Sequence, residues 1–80
     1  MLIPAQILAA RALIGMTRAE LADRVGLSAT GLAKIETGQS DPKASSLEAI
    51  QRALEAAGVV FIHEDSEGAG VRLKRPRKRR

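Results

Sequence analysis

The chain has 80 residues, of which 45% are hydrophobic and 28% charged, and it contains no cysteine. This length allows one small domain that buries about 60% of its unfolded surface, and the lack of cysteine excludes disulfides and thiolate zinc sites. Seven of the 13 Lys and Arg residues lie in the last nine positions, whereas all nine acidic residues precede them. With six basic and nine acidic residues, residues 1–71 carry a net charge of −3. The overall charge of +4 therefore comes from the C-terminal end and does not by itself indicate nucleic-acid binding.

The first predicted helix begins at Pro4 and ends before Gly15. Proline suits the first turn of a helix, where its missing N–H costs no hydrogen bond. Four residues then recur on one face at helical spacing: Ile7, Ala10, Arg11 and Ile14. Because this face is otherwise apolar, Arg11 either has an acidic partner or lays its stem along the core with its charged end in water.

The middle of the chain predicts two short helices joined by a glycine turn. Thr17 and Glu20 form a T-x-x-E capping box, in which each side chain accepts a hydrogen bond from a free backbone N–H. Gly26 suits the left-handed conformation that ends a helix, Ser28 is an N-cap for the second helix, and Gly38 ends it. The apolar residues of both helices keep helical spacing: Leu21, Ala22, Val25, Leu32 and Ile35. This is the pattern of a helix-turn-helix unit.

The next stretch predicts a surface loop and a further helix. The loop is rich in residues that favour turns: Gly38, Ser40, Asp41 and Pro42. Ser45 and Glu48 form a second capping box, so the helix is predicted to begin with Ser45 as its N-cap. Its apolar residues keep helical spacing as far as Gly58: Leu47, Ile50, Leu54 and Ala57.

The end of the chain predicts a β-hairpin followed by a basic tail. Residues 59–63 are β-branched or aromatic, residues 64–70 are typical of a turn, and residues 71–74 alternate apolar with basic side chains. Residues 75–80, all basic except Pro76, are predicted to be disordered. A lone hairpin is marginal in water and has open edges, so this one is predicted to form a dimer contact. The predicted dimerisation residues are Val60, Ile62, Val71 and Leu73. The alternative is a dimer through the last predicted helix or through Leu8 and Leu13, with the hairpin folded onto its own monomer.

The central motif resembles the Cro/phage-repressor (Xre-like) helix-turn-helix family. The resemblance covers about residues 5–57 and depends on an ordered set of short motifs: Thr17-Arg18-Ala19-Glu20-Leu21-Ala22, Val25-Gly26-Leu27-Ser28, Leu32, Ile35-Glu36 and Gly38. It implies a mainly α fold, with a compact bundle of four to five helices over residues 1–58 whose third helix enters the DNA major groove. The hairpin over residues 59–74 and the tail over residues 75–80 complete the predicted organisation. In the family, an arginine at the position of Arg11 pairs with a glutamate at the position of Glu36.

The resemblance also implies which residues contact DNA. The first turns of the second motif helix face the bases, so the predicted base contacts are Ser28, Ala29, Thr30, Gly31 and Lys34. The predicted phosphate contacts lie at the start of the first motif helix and in the loop after the second: Thr17, Arg18, Thr37, Gln39, Ser40 and Lys43. Gly31 weakens a helix by about 1 kcal/mol relative to Ala, which favours a close approach of the backbone to DNA. Family members often carry Gln or Arg near the base-contacting positions, so this departure leaves the operator undefined and a solvent-facing surface as the alternative.

Together these features predict a sequence-specific DNA-binding regulator, a repressor that binds a pseudo-palindromic operator in double-stranded DNA as a homodimer. The alternative is an antitoxin or adaptor that binds another protein and contacts nucleic acid without sequence preference. His63 is the single histidine, and the acidic residues after it lack the spacing of an EF-hand loop, so no enzyme, cofactor or metal site is predicted. No apolar run approaches the ~20 residues of a membrane span, and the expected location is the cytoplasm.

Overall fold

The computed structural model describes residues 2–65 and 67–75, which form four helices followed by a β-hairpin. The helices are α1 (Pro4–Ile14), α2 (Arg18–Val25), α3 (Ala29–Glu36) and α4 (Ala44–Ala56), and the strands are β1 (Val59–Ile62) and β2 (Gly70–Leu73). The predicted mainly α bundle with a C-terminal hairpin is confirmed. The tail predicted to be disordered is residues 75–80, and all of it except Arg75 lies outside the described residues.

The ends of α2 and α3 follow the local signals of the sequence. The Glu20 N–H donates to Thr17 Oγ1 over 3.1 Å, and the Thr17 N–H donates to the Glu20 carboxylate over 3.2 Å. Gly26 ends α2 in the left-handed conformation with φ 74°. The Gly31 N–H then donates to Ser28 Oγ over 2.9 Å at the start of α3. Both predicted caps are confirmed, and together they fix the turn between the two helices.

The predicted start of α4 was wrong. The N-cap is Lys43, whose extended backbone (φ −65°, ψ 149°) follows Pro42, and the helix begins at Ala44. The Lys43 carbonyl accepts hydrogen bonds from the N–H groups of Ser46 and Leu47 at 3.0 and 3.1 Å. Because the chain turns into the helix directly after Lys43, Ser45 lies inside the first turn, where its hydroxyl cannot cap the helix start.

The core lies where the four helices and the hairpin meet. Its largest fully buried side chains come from all four helices: Ile7, Leu21, Leu32, Ile50 and Leu54. Each such burial contributes on the order of 1.5–3 kcal/mol relative to exposure. Val59 and Phe61 of β1 are also buried, at 2% and 8% exposure, and Val71 packs against the same cluster. The hairpin therefore completes the helical core rather than standing apart from it.

The side chain of Gln6, in α1, binds the hairpin where β1 ends and β2 begins. Its side chain is buried, and Nε2 donates to the carbonyls of Ile62 and Gly70, both at 3.0 Å. Its Oε1 accepts from the Ile3 N–H, also at 3.0 Å. All the polar atoms of this buried amide are therefore engaged, as a buried polar group requires.

The hairpin register separates the four residues predicted to form a dimer contact. β1 and β2 are antiparallel, with Val59 opposite Leu73 and Phe61 opposite Val71. Residues opposite one another in an antiparallel pair project to the same face. Two of the four, Val71 and Leu73, thus share the inner face with the buried residues of β1. The outer face carries the other two, with Val60 half-buried and Ile62 41% exposed.

Candidate nucleic-acid interface

α3 has one anchored side and one exposed side. Leu32 is fully buried and Ile35 is 7% exposed, so these two residues hold the helix against the core. Four of the five predicted base contacts are exposed, and Gly31 is half-buried: Ser28, Ala29, Thr30, Gly31 and Lys34. The first turns of α3 thus present a short polar surface of small side chains ending in one lysine.

Gly31 occupies a crowded position at the cap of α3. A Cβ at this residue would lie 3.1 Å from Ser28 Oγ, the same atom that accepts the Gly31 N–H. A larger side chain would require the cap to shift by a few tenths of an ångström. This contact within the protein is one explanation for glycine at position 31, and the sequence pattern did not reveal it. The predicted close approach of the backbone to DNA is a second explanation.

The predicted phosphate contacts lie at the start of α2 and in the loop after α3. Five of them are exposed, and Arg18 is partly exposed: Thr17, Arg18, Thr37, Gln39, Ser40 and Lys43. Two of the hydroxyl groups already make hydrogen bonds to helix backbone. Thr17 Oγ1 caps α2, and Thr37 Oγ1 donates to the Ala33 carbonyl over 2.9 Å. The backbone N–H groups of Gln39 and Ser40 donate to the Lys34 carbonyl at 2.8 and 3.3 Å, which holds the loop close to the end of α3.

Glu36, the last residue of α3, binds two arginines. Arg11 Nε and Nη2 donate to its two carboxylate oxygens at 2.6 and 2.9 Å, and Arg18 Nε donates to Oε1 at 2.9 Å. The Glu36 side chain is completely buried, whereas the side chains of Arg11 and Arg18 are 13% and 40% exposed. Arg11 Nη1 also donates to the Met16 carbonyl over 3.2 Å. The network joins α1, the start of α2 and the end of α3, so it fixes the two predicted DNA-contacting regions relative to each other.

The Glu36 carboxylate is ionised in this network. Burial acts to raise the pKa of Glu36, but the hydrogen bonds and positive charges of Arg11 and Arg18 lower it by more, and the pKa lies below its ordinary value. Arg18 was predicted as a phosphate contact alone, and its bond to Glu36 was missed. No local pattern links these two residues, since they lie 18 positions apart and meet only in the folded chain.

The predicted DNA contacts carry few positive charges. Of the predicted DNA contacts, three are cationic: Arg18, Lys34 and Lys43. Asp41 lies in the same loop as Lys43, while the charge of Glu36 is neutralised by its partners. The polar groups of α3 and its flanking loops therefore suit recognition by hydrogen bonds more than strong general attraction to phosphate.

Within residues 2–65 and 67–75, no three His, Asp or Glu side chains are placed to hold a metal ion. None of the helices described there combines the length and the apolar character needed to cross a membrane.

The chain matches the model of a known protein family. A model of the helix-turn-helix family matches residues 7–57, which span α1 from its second turn to the residue after α4. The match covers more than half of the chain and includes every predicted DNA contact. A search of curated proteins found no match.

Proposed function

The chain belongs to the Cro/C1-type helix-turn-helix family of DNA-binding regulatory domains, and from this premise we propose that it is a sequence-specific transcriptional repressor. It binds a pseudo-palindromic operator in double-stranded DNA as a homodimer and acts by occupying that operator. It works in the cytoplasm, without enzymatic activity and without a cofactor.

The observation that supports this proposal best is the exposed side of α3. The helix is held rigidly by its buried residues and by the ion pairs at its C-terminal end, while its first turns face outward. In the major groove, Lys34 donates to guanine O6 or N7, Thr30 donates to a base edge, and Ala29 contacts a thymine methyl group. Such contacts carry sequence information, which phosphate contacts do not.

The flanking contacts position α3 on the duplex. Thr17 and Arg18 lie at the start of α2, where free N–H groups and the positive end of the helix dipole favour a phosphate. Arg18 uses Nε for Glu36, and with its side chain 40% exposed it has two further nitrogen atoms with which to bind a phosphate. Lys43 supplies a second positive charge at the end of the loop after α3, directly before α4.

The homodimer contact is placed on the outer face of the hairpin. Val60 and Ile62 are its apolar side chains, and Ile62 is one of the three large hydrophobic residues most exposed to solvent among the described residues. To reach successive major-groove half-sites, pairing of this face across a two-fold axis has to set two copies of α3 about 34 Å apart.

Selection of bound fragments from a pool of random DNA tests the proposal. The full-length protein should enrich one palindromic sequence, and that duplex should compete at least ~10³-fold better than random DNA at physiological salt. If bound fragments share no sequence and random DNA competes equally, the protein is not a sequence-specific regulator. That result would favour the adaptor, because phosphate attraction alone is blind to sequence.

A further inference from the structure

Glu36 binds a second arginine that its own charge does not require. Arg11 already makes a bidentate pair with the carboxylate, with Nε and Nη2 at 2.6 and 2.9 Å from its two oxygens, and one guanidinium in this geometry balances one carboxylate. Arg18 Nε adds a further bond to Oε1 over 2.9 Å. Two positive charges and one negative charge leave the cluster at +1, and the surplus lies toward Arg18, whose side chain is 40% exposed against 13% for Arg11.

The bond to Glu36 uses one edge of the Arg18 guanidinium and leaves another. Nε donates inward to the buried carboxylate, whereas within residues 2–65 and 67–75 neither Nη1 nor Nη2 of Arg18 has a hydrogen-bond partner. A guanidinium is planar, so a bond at Nε also restricts the direction of the edge formed by Nη1 and Nη2. That edge carries two parallel N–H groups, the arrangement that binds two oxygens of a phosphate at once.

We propose that Glu36 is a positioning residue for DNA binding, which holds Arg18 so that its Nη1–Nη2 edge binds one backbone phosphate. Arginine can bind the carboxylate through Nε and the phosphate through the other edge at the same time, whereas the single ammonium group of lysine offers no second edge. Because Arg11 balances the carboxylate, Glu36 orients Arg18 without cancelling its charge. This inference rests on the proposed function and adds to it the group that orients a phosphate contact.

Positioning and competition by Glu36 predict opposite effects on DNA binding. A side chain that is already held in place loses little conformational freedom when it binds DNA, so positioning strengthens the phosphate contact. A carboxylate that merely competed with the phosphate for the guanidinium would weaken it. Removal of Glu36 should therefore reduce the advantage of arginine over lysine at position 18, whereas under competition the same removal would increase that advantage.

A double-mutant cycle tests the role of Glu36. Arg18→Lys keeps the charge but removes the planar fork, and it is made both in the parent and in Glu36→Gln. The Kd for the selected operator should rise about 10-fold on Arg18→Lys in the parent and stay nearly unchanged in the Glu36→Gln background. Glu36→Gln also removes a negative charge, but this is common to both proteins of that background and cancels in the ratio. Circular dichroism confirms that each protein is folded at the assay temperature, and Glu36→Asp, which withdraws the carboxylate by one methylene, replaces any Glu36→Gln protein that is not.

Two matched controls separate positioning from stability and from charge. Arg11→Lys loosens the same network but leaves the Glu36 carboxylate in place for Arg18, so the ratio caused by Arg18→Lys should remain about 10-fold in that background. Arg24 is an exposed arginine near the end of the same helix, and Arg24→Lys should give a ratio near one both in the parent and in Glu36→Gln.

NMR relaxation of the Arg18 Nε–H group gives a readout that needs no DNA. Its signal is assigned by its loss in Arg18→Lys. The order parameter of this group should be close to about 0.85 in the parent and fall below about 0.6 in Glu36→Gln, while Arg24 should be mobile in both.

The possible results separate this inference from the proposed function. The role of Glu36 is disproved if Arg18→Lys changes the Kd by the same factor in both backgrounds, if that factor is larger in Glu36→Gln, or if the Arg18 Nε–H group is mobile in the parent. Each of these results leaves sequence-specific binding by the parent intact. If the parent itself binds no sequence preferentially, the proposed function fails, and the inference that rests on it fails with it.

Discussion

At the scale of single residues, the two arginines that bind Glu36 differ in burial and should contribute differently to the free energy of unfolding. Arg11 is 13% exposed and makes two hydrogen bonds to the carboxylate, whereas Arg18 is 40% exposed and makes one. Arg11→Met should lower the free energy of unfolding by about 3 kcal/mol, because it leaves much of the buried charge of Glu36 without a partner. Arg18→Met should lower it by less than about 1 kcal/mol, since solvent screens an exposed pair. Urea unfolding of both variants measures the difference, and equal losses would contradict it.

The same carboxylate should make the protein sensitive to acid. The pKa of Glu36 is lowered from 4.5, so the folded state binds its proton more weakly than the unfolded state does. The ionised network therefore contributes fully above about pH 5, and its contribution is lost as the pH falls through the lower folded pKa. Glu36→Gln should be less stable than the parent near neutral pH, and its free energy of unfolding should fall less between about pH 6 and about pH 3. Glu20→Gln is the comparison: the pKa of that exposed carboxyl is also lowered, by its hydrogen bonds with Thr17, and its loss should change the acid dependence less than the loss of the buried Glu36. If the free energy of unfolding of Glu36→Gln falls with pH as steeply as that of the parent, another group controls the acid sensitivity.

Base and phosphate contacts should be separable by two lysine substitutions. Lys34→Ala should cost about 1–3 kcal/mol with the preferred base and relax the preference at one position in each half-site. Lys43→Ala should weaken binding to every sequence alike and reduce the salt dependence. Lys43 is a cleaner phosphate probe than Arg18, whose removal also breaks a bond to Glu36. Affinities for the operator and for random DNA at several salt concentrations provide the comparison. If Lys34→Ala weakens binding to the operator and to random DNA equally, Lys34 does not contact a base.

At the scale of elements, the sequence predicts best those features that depend on residues close together in the chain. The caps at Thr17 and Ser28 involve residues three positions apart, so their pattern is visible in the chain itself. The start of α4 was missed because the backbone after Pro42 turns at Lys43, before the serines whose spacing suggested a cap. Arg11 and Glu36 lie 25 positions apart, and their pairing was predicted through the family resemblance rather than through periodicity.

The hairpin shows the same limit. Alternation along each strand predicted two strands, but the face of each side chain depends on how the strands are paired. The antiparallel pairing of β1 with β2 sets Val59 opposite Leu73, which puts odd-numbered residues of both strands on the inner face. A shift of one residue would have placed Leu73 on the outer face beside Val60. The sequence therefore located the hairpin, but it did not show that the four predicted dimerisation residues divide between its two faces.

The outer face of the hairpin carries a prediction about oligomeric state. Val60→Glu with Ile62→Lys places charges on the two apolar side chains of that face. The variant should stay folded, because the buried partners of the core are Val59 and Phe61, and it should sediment as a monomer with much weaker operator binding. Glu64→Lys, just past the strand, changes charge without touching the face and should remain dimeric. Dimers that persist in the double variant would place the interface elsewhere.

At the scale of the whole molecule, most of the positive charge and the predicted recognition surface lie in different parts of the chain. The predicted contacts on the body are mainly neutral polar groups, whereas five of the 13 basic residues lie in residues 75–80. This division could be predicted from the sequence, because charge counts need no structure. The arrangement of α3, the loops and the Glu36 network could not, since it depends on contacts between residues far apart in the chain.

The tail should therefore supply affinity without specificity. Deletion of residues 75–80 removes five positive charges and changes the formal net charge from +4 to −1. Each phosphate contact that is lost reduces the slope of log affinity against log salt by about 0.9. The truncated protein should bind operator and random DNA more weakly by similar factors, with a shallower slope on both. A full-length variant with Gln in place of the five basic residues separates charge from chain length and should behave like the deletion. An unchanged slope in both variants would show that the tail makes no contact with phosphate, and a loss confined to the operator would mean that it contacts bases.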